Sequence, residues 1–162
     1  MSFDVDYWKD DPDAPFAVLL ETVNVYCHPE NMDWDGLRDL IAHPAKYNAE
    51  EDVARFKREL HELLTDPDKI PRAALSDAAG YGDGTPERFL RRLWRELYPD
   101  EPVPGGDEEF RNDLIAVMKG EKDLYDTTVK AYTEFYDDTG MSDQEYARMI
   151  WQKKYPDEPP PV

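Results

Sequence analysis

Few residues in this chain have the type and spacing that chemistry needs. His61-Glu62-Leu63-Leu64-Thr65 opens like the helical zinc-protease motif, in which two histidines one turn apart hold the metal and the glutamate activates water. The second histidine is absent. Cys27-His28 is one adjacent pair with no matching second pair, short of the four ligands a closed zinc site takes. Cys27 could pair with His43 or His61 as nucleophile and base, but a lone cysteine beside apolar residues is more often packing. GYGDG at 80–84 has the glycines of a phosphate-cradling loop but lacks its Lys-Ser/Thr and follows no strand pattern. With 37 acidic residues, carboxylate pairs arise by chance and single out no acid–base dyad. The expectation is a protein without catalytic residues, metal or cofactor.

Arg88, Arg91, Arg92 and Arg95 do form a pattern, because their i, i+3, i+4, i+7 spacing aligns them on one helix stripe. Such a stripe could hold an anion or an acidic partner, or it could pair with the acidic ends of the same chain. The net charge of −18 favours internal pairing. A second candidate is the acidic-aromatic segment FDVDYWKDD, where Asp4, Asp6, Asp10 and Asp11 surround Tyr7 and Trp8. Aromatic anchors ringed by acids suit an interface with a basic partner, although Tyr7 and Trp8 could equally fold onto the protein's own core. Asp33-Trp34-Asp35 is a second such patch, with Asp33 also placed to cap a helix.

The elements that must position these residues read as helical. Asp13 and Pro15 predict a helix through PFAVLLETVNVYC, stopped by Pro29, and DWDGLRDLIA predicts a short one ended by Pro44. Asn48 is placed to cap AEEDVARFKRELHELL, whose Val53, Phe56, Leu60, Leu63 and Leu64 share one face. A long Gly- and Pro-containing connection follows, with a helical turn expected at 71–78. Thr85-Pro86 then starts ERFLRRLWRELY as cap and first helical residue. Further helices are expected over DEEFRNDLIAVMK, EKDLYDTTVKAYTEFYDD and SDQEYARMIWQKKY, the last with Ser142 and Glu145 as a capping box. VNVY alone could be a strand, but its surroundings suit a helix.

YPDEP occurs twice, at 98–102 and 155–159, each time four residues after a tryptophan. Shifting the chain by 57 residues aligns Thr85 with Ser142, Phe89 with Tyr146, Arg91 with Arg148, Leu93 with Ile150 and Trp94 with Trp151. The repeat is therefore expected to be architectural. Proline excludes helical geometry from its predecessor, so each helix should stop at its tyrosine. The resulting expectation is an all-α fold, one helical domain over 1–162 with about six to eight helices. It allows two similar three-helix units at 33–98 and 107–155 and an acidic N-terminal arm at 1–13.

Charge narrows function further. Residues 1–52 carry net −10, 53–98 net +1 and 99–162 net −9. Nucleic acid is bound by neutralising phosphates with Lys and Arg, so direct nucleic-acid binding is not expected. Acidity of this size favours solubility and attracts cationic proteins, or reflects an acid-rich proteome. The longest apolar runs, Phe16–Leu20 among them, are far short of the roughly 20 residues of a membrane helix. The acidic start does not read as a secretory signal and the single Cys27 allows no internal disulfide, so the expected place is the cytoplasm, with no membrane partner.

The stretch LSDAAGYGDGTPERFLRRLWRELYPDEPVP resembles bacterial contact-dependent growth-inhibition immunity proteins, in which a Gly/Asp loop precedes a FLRRLW-type helix ending in a Tyr-containing turn. The resemblance spans roughly residues 60–104. It implies a cytosolic protein that binds and blocks a cognate toxin, often a nuclease, and it assigns no contact residues. Charge points the same way by itself, since a nuclease must be basic and an acidic inhibitor can cover that surface after steered association. The alternative expectation is an acidic regulatory or DNA-mimic protein acting on another basic target.

Overall fold

The computed structural model describes residues 5–81, 83–131 and 140–161. The described residues are all-α: seven α-helices and four short 3-10 turns, with no strand among them. The chain divides into two compact units, Met1–Leu97 and Tyr98–Val162.

Unit 1 holds α1 (Ala17–Cys27), α2 (Trp34–Ala42), α3 (Glu50–Thr65), α4 (Arg72–Ala78) and α5 (Pro86–Leu97). The VNVY segment is helical, inside α1. α1 packs against α3, α4 and α2, while α5 packs against α3, α2 and α4. Leu19, Leu20 and Val23 of α1 are fully buried, as are Leu37, Leu60, Leu75, Leu90 and Leu93 on the other four helices. Burying one such side chain stabilises the fold by about 1.5–3 kcal/mol, so this leucine-rich interior is what holds the helices together.

The helix starts show where local signals were enough. α2 starts on Asp33, whose carboxylate accepts the Gly36 amide at 2.9 Å. A Cβ at position 36 would lie 2.2 Å from the Asp33 carboxylate, which would have to shift to make room. Thr85 accepts the Arg88 amide and Pro86 is the first residue of α5. Two starts differ from expectation. α1 begins at Ala17 rather than near Asp13, and its N-cap residue is Phe16, in the left-handed region at φ 62° with no oxygen to offer. Asn48 does not cap α3. It closes the 3-10 turn Pro44–Tyr47 at φ 53°, a conformation asparagine tolerates better than most residues, and Ala49 takes the cap position.

Unit 2 contains α6 (Glu108–Met118) and α7 (Asp143–Lys154), packed on each other. Phe110, Leu114 and Val117 of α6 meet Tyr146, Ile150 and Trp151 of α7 in one apolar cluster with Leu124 and Val129. The helix expected over 121–138 does not form in its described part. Two 3-10 turns stand there instead, Leu124–Asp126 and Thr128–Ala131, and 132–139 lie outside the described residues. The reason is visible. Buried Asp113 accepts both the Thr128 amide, at 2.9 Å, and the Thr128 hydroxyl, at 2.6 Å. Thr127 donates to the Leu124 carbonyl at 2.8 Å. The β-branched run Thr127-Thr128-Val129 also disfavours an α-helix.

Both YPDEP copies do the same thing locally. α5 ends at Leu97 and α7 at Lys154, in each case one residue before the tyrosine. The Glu101 amide then donates to Tyr98 at 3.1 Å and the Glu158 amide to Tyr155 at 3.0 Å, giving the same tight turn twice. Trp94 and Trp151 are both buried. The His61 ring stands edge-on to Trp94 at 6.2 Å, whereas Tyr155 and Arg111 pack on Trp151.

Candidate functional site

The sequence-predicted site residues fall into two groups in unit 1. Of the N-terminal group, Asp4 lies outside the described residues. Asp6, Asp10 and Asp11 are exposed, with Asp6 paired to Lys9 at 2.7 Å and Asp11 accepting the Asp13 amide. Trp8 is only 6% exposed and its indole donates to the Val5 carbonyl. Tyr7 is half-buried and its hydroxyl donates to the Pro15 carbonyl at 2.6 Å. Burial, with Glu59 nearby, pushes that phenol's pKa up. The acids of this segment therefore face solvent while its aromatics are turned to the protein's own backbone.

A clamp explains why. Arg55 on α3 donates to the Pro12 carbonyl at 2.7 Å and the Ala14 carbonyl at 3.1 Å, and pairs with Glu59 at 3.1 Å. Glu59 in turn accepts the Leu19 amide. Residues 12–19 are thus fastened to one face of α3.

In the second group Asp33 is spent as the cap and Asp35 pairs with Arg38 at 3.0 Å. Trp34 is half-buried beneath the Arg92 guanidinium, which lies 4.8 Å from its ring centroid. The same guanidinium grips Asp83 with two bonds, at 2.8 and 2.9 Å. Neighbouring Arg95 is buried. Arg92 is thus paired internally, and what could have been an anion site there is a structural lock. His61, Cys27 and the other candidate ligands likewise form no group of three or more that could hold a metal among the described residues. No described helix is long and apolar enough to cross a membrane.

One feature went unpredicted: a groove of about 210 Å³ on the surface of α1, α2 and α3. α1 carries two apolar stripes. Leu19, Leu20, Val23 and Cys27 face the core, while Val18, Thr22, Val25 and Tyr26 line the groove. α2 adds Leu40 and Ile41, α3 adds Val53, and the buried Phe56 closes the bottom. The sequence did carry a signal, since a helix apolar on two faces has more surface to cover than one core contact explains. Val25 remains 48% exposed.

Glu21 and Asp52 stand at the groove, both exposed, and neither side chain has a partner among the described residues. With Glu50 and Glu51, Asp52 fills the first turn of α3, where the helix dipole favours negative charge. Other acids of the unit are matched, Asp39 among them. Asp39 accepts the Tyr47 hydroxyl and, at 2.9 Å, the Lys46 ammonium, which hold its carboxyl below the usual range. Apolar walls with an unmatched negative rim can receive an apolar side chain flanked by cations.

No protein-family model matches the chain, and neither the search of curated proteins nor that of solved structures returns a match.

Proposed function

We propose that this protein is an acidic binding protein that captures a cationic partner and works by occupying its surface, without chemistry of its own. In its specific form the partner is a toxin domain, a basic nuclease above all, and the protein is its cytoplasmic immunity factor. The observation that carries the reading is how charge is spent. Each unit has net −9, with 21 acids and 12 bases in unit 1 and 16 acids and 7 bases in unit 2. Arg38, Lys46, Arg55, Lys69, Arg72 and Arg92 are all engaged by acids of their own unit. The carboxylates left over, Glu21 and Asp52 among them, project a field that speeds encounter with a basic surface. The resemblance to immunity proteins over roughly residues 60–104 supports the narrower form.

The test is coexpression of a candidate toxin domain, sought first among the genes beside this one, with and without this protein, together with calorimetry on the purified pair. Rescue of growth and a complex whose on-rate falls steeply with salt are expected. Equal killing in both cases, with no complex at low salt, would overturn the immunity reading for that pair.

A further inference from the structure

The groove on α1, α2 and α3 says more about the partner than its charge. Its volume of about 210 Å³ is below the roughly 300–1,000 Å³ of clefts that enclose a small molecule, so it suits a few side chains of a larger partner. The described elements are all helices, so an extended peptide would find no strand edge there to pair with. A helix satisfies its own backbone and needs only a groove for one face. The walls Val18, Val25, Leu40 and Val53 offer apolar contact, and among the described residues the only charged ones lining the groove are Glu21 and Asp52, both unmatched there.

We propose that this groove docks a single amphipathic helix of the partner, apolar on the face that enters and basic on its flanks. The proposal rests on the reading that the partner is cationic, and adds the form of the segment and the place where it binds. The partner's Lys and Arg side chains meet Glu21 and Asp52 at the rim, where solvent-exposed pairs set approach and orientation more than residence. Its apolar side chains cover Val25 and fill the space above Phe56, and this burial sets the rate of release. The second stripe of α1 then has the same reason to exist as the first: it is a core completed by another molecule.

The probe is a peptide of about 18 residues, long enough to hold a helix, with leucines on one face and lysines elsewhere. Its control has the same composition with the leucines scattered around the helix, and both are titrated into the full-length protein at low salt. The amphipathic peptide should bind about tenfold or more tighter than its isomer. Val25→Asn should abolish that preference without changing affinity for the isomer, because it removes apolar contact and leaves the charge alone. Val25 is 48% exposed, so the variant should keep its circular dichroism. Methyl resonances of Val18, Val25, Leu40, Ile41 and Val53 in the unaltered protein give a readout that needs no variant, and they should shift together. Equal affinity for the two isomers would overturn the groove and leave the cationic-partner reading standing. So would a preference that survives Val25→Asn while the methyl shifts map elsewhere. No binding of either peptide at low salt would overturn both.

Discussion

Glu59 and Leu19 are 40 residues apart in the chain, yet the carboxylate of one accepts the backbone amide of the other at 2.9 Å and so caps the first turn of α1. Phe16, at the cap position, has no oxygen to give. A side chain from α3 does what a local Ser or Asp does elsewhere. Arg55 completes the arrangement by holding both Glu59 and the carbonyls just before the helix.

Removing that cap should loosen the start of α1 before anything else. Glu59→Ala should destabilise unit 1 by roughly 2 kcal/mol, because it leaves a buried amide without an acceptor and Arg55 without its carboxylate. Glu59→Gln keeps an acceptor and should lose less. Hydrogen exchange at the Leu19 amide is the readout. Unchanged protection in Glu59→Ala would show that the cap is not what holds the helix end.

Arg92 should not tolerate lysine. The guanidinium makes two bonds to Asp83 while lying 4.8 Å from the Trp34 ring centroid, and an ammonium cannot reproduce both contacts with the same geometry. The pair is largely buried, with side-chain exposures of 11% and 6%, so breaking it leaves Asp83 poorly compensated. A loss of roughly 2–3 kcal/mol is expected for Arg92→Ala, and most of that for Arg92→Lys. Denaturant midpoints measure it, and Trp34 fluorescence reports whether the stacking is lost.

Cys27 should resist thiol reagents in the folded protein and couple stability to alkaline pH. Burial pushes its pKa from 9.0 up to about 12, because the thiolate would have to be desolvated. The unfolded chain releases this proton near pH 9, while the folded chain holds it until about pH 12. The contribution is therefore fully present below pH 9 and declines as pH rises through that window. Labelling at pH 8 should proceed only at the rate of unfolding, and Cys27→Ser should flatten the alkaline part of the stability profile. Rapid stoichiometric labelling of the native protein would contradict the burial.

In unit 2, Arg111 ties the second YPDEP turn to its helix. It lies 4.5 Å from the Trp151 ring centroid and 4.8 Å from that of Tyr155, and its guanidinium pairs with Glu158 at 2.5 Å. The Trp151 indole donates to the Glu158 carbonyl at 3.2 Å. The side chains are partly exposed, so Arg111→Ala should cost only about 1 kcal/mol. It should shift Trp151 emission and expose the turn to proteolysis. Emission and cleavage identical to the unaltered protein would show that the turn stands without it.

Local chemistry alone determined most of the helices and where several of them begin and end. Asp33 and Ser142 cap, Pro86 opens a helix, and the proline of YPDEP closes one twice, because each signal acts within about one turn of chain. Of the arginine stripe, Arg92 pairs within the chain, but with Asp83 of the near-neutral middle segment rather than with an acidic end. Only the tertiary structure decided the rest. Which residue caps α1 depends on α3 lying against it, so Asp13 was passed over for Glu59. The segment from Leu124 to Ala131 gave up helical hydrogen bonds because buried Asp113 claims Thr128. Trp8 turned inward while its acidic neighbours stayed in water, since residues 12–14 are held by Arg55. The groove needs three helices side by side before it exists at all. Sequence periodicity tells which face of a helix is apolar, but whether a face meets its own chain or is left open depends on burial between residues far apart, which no local pattern encodes.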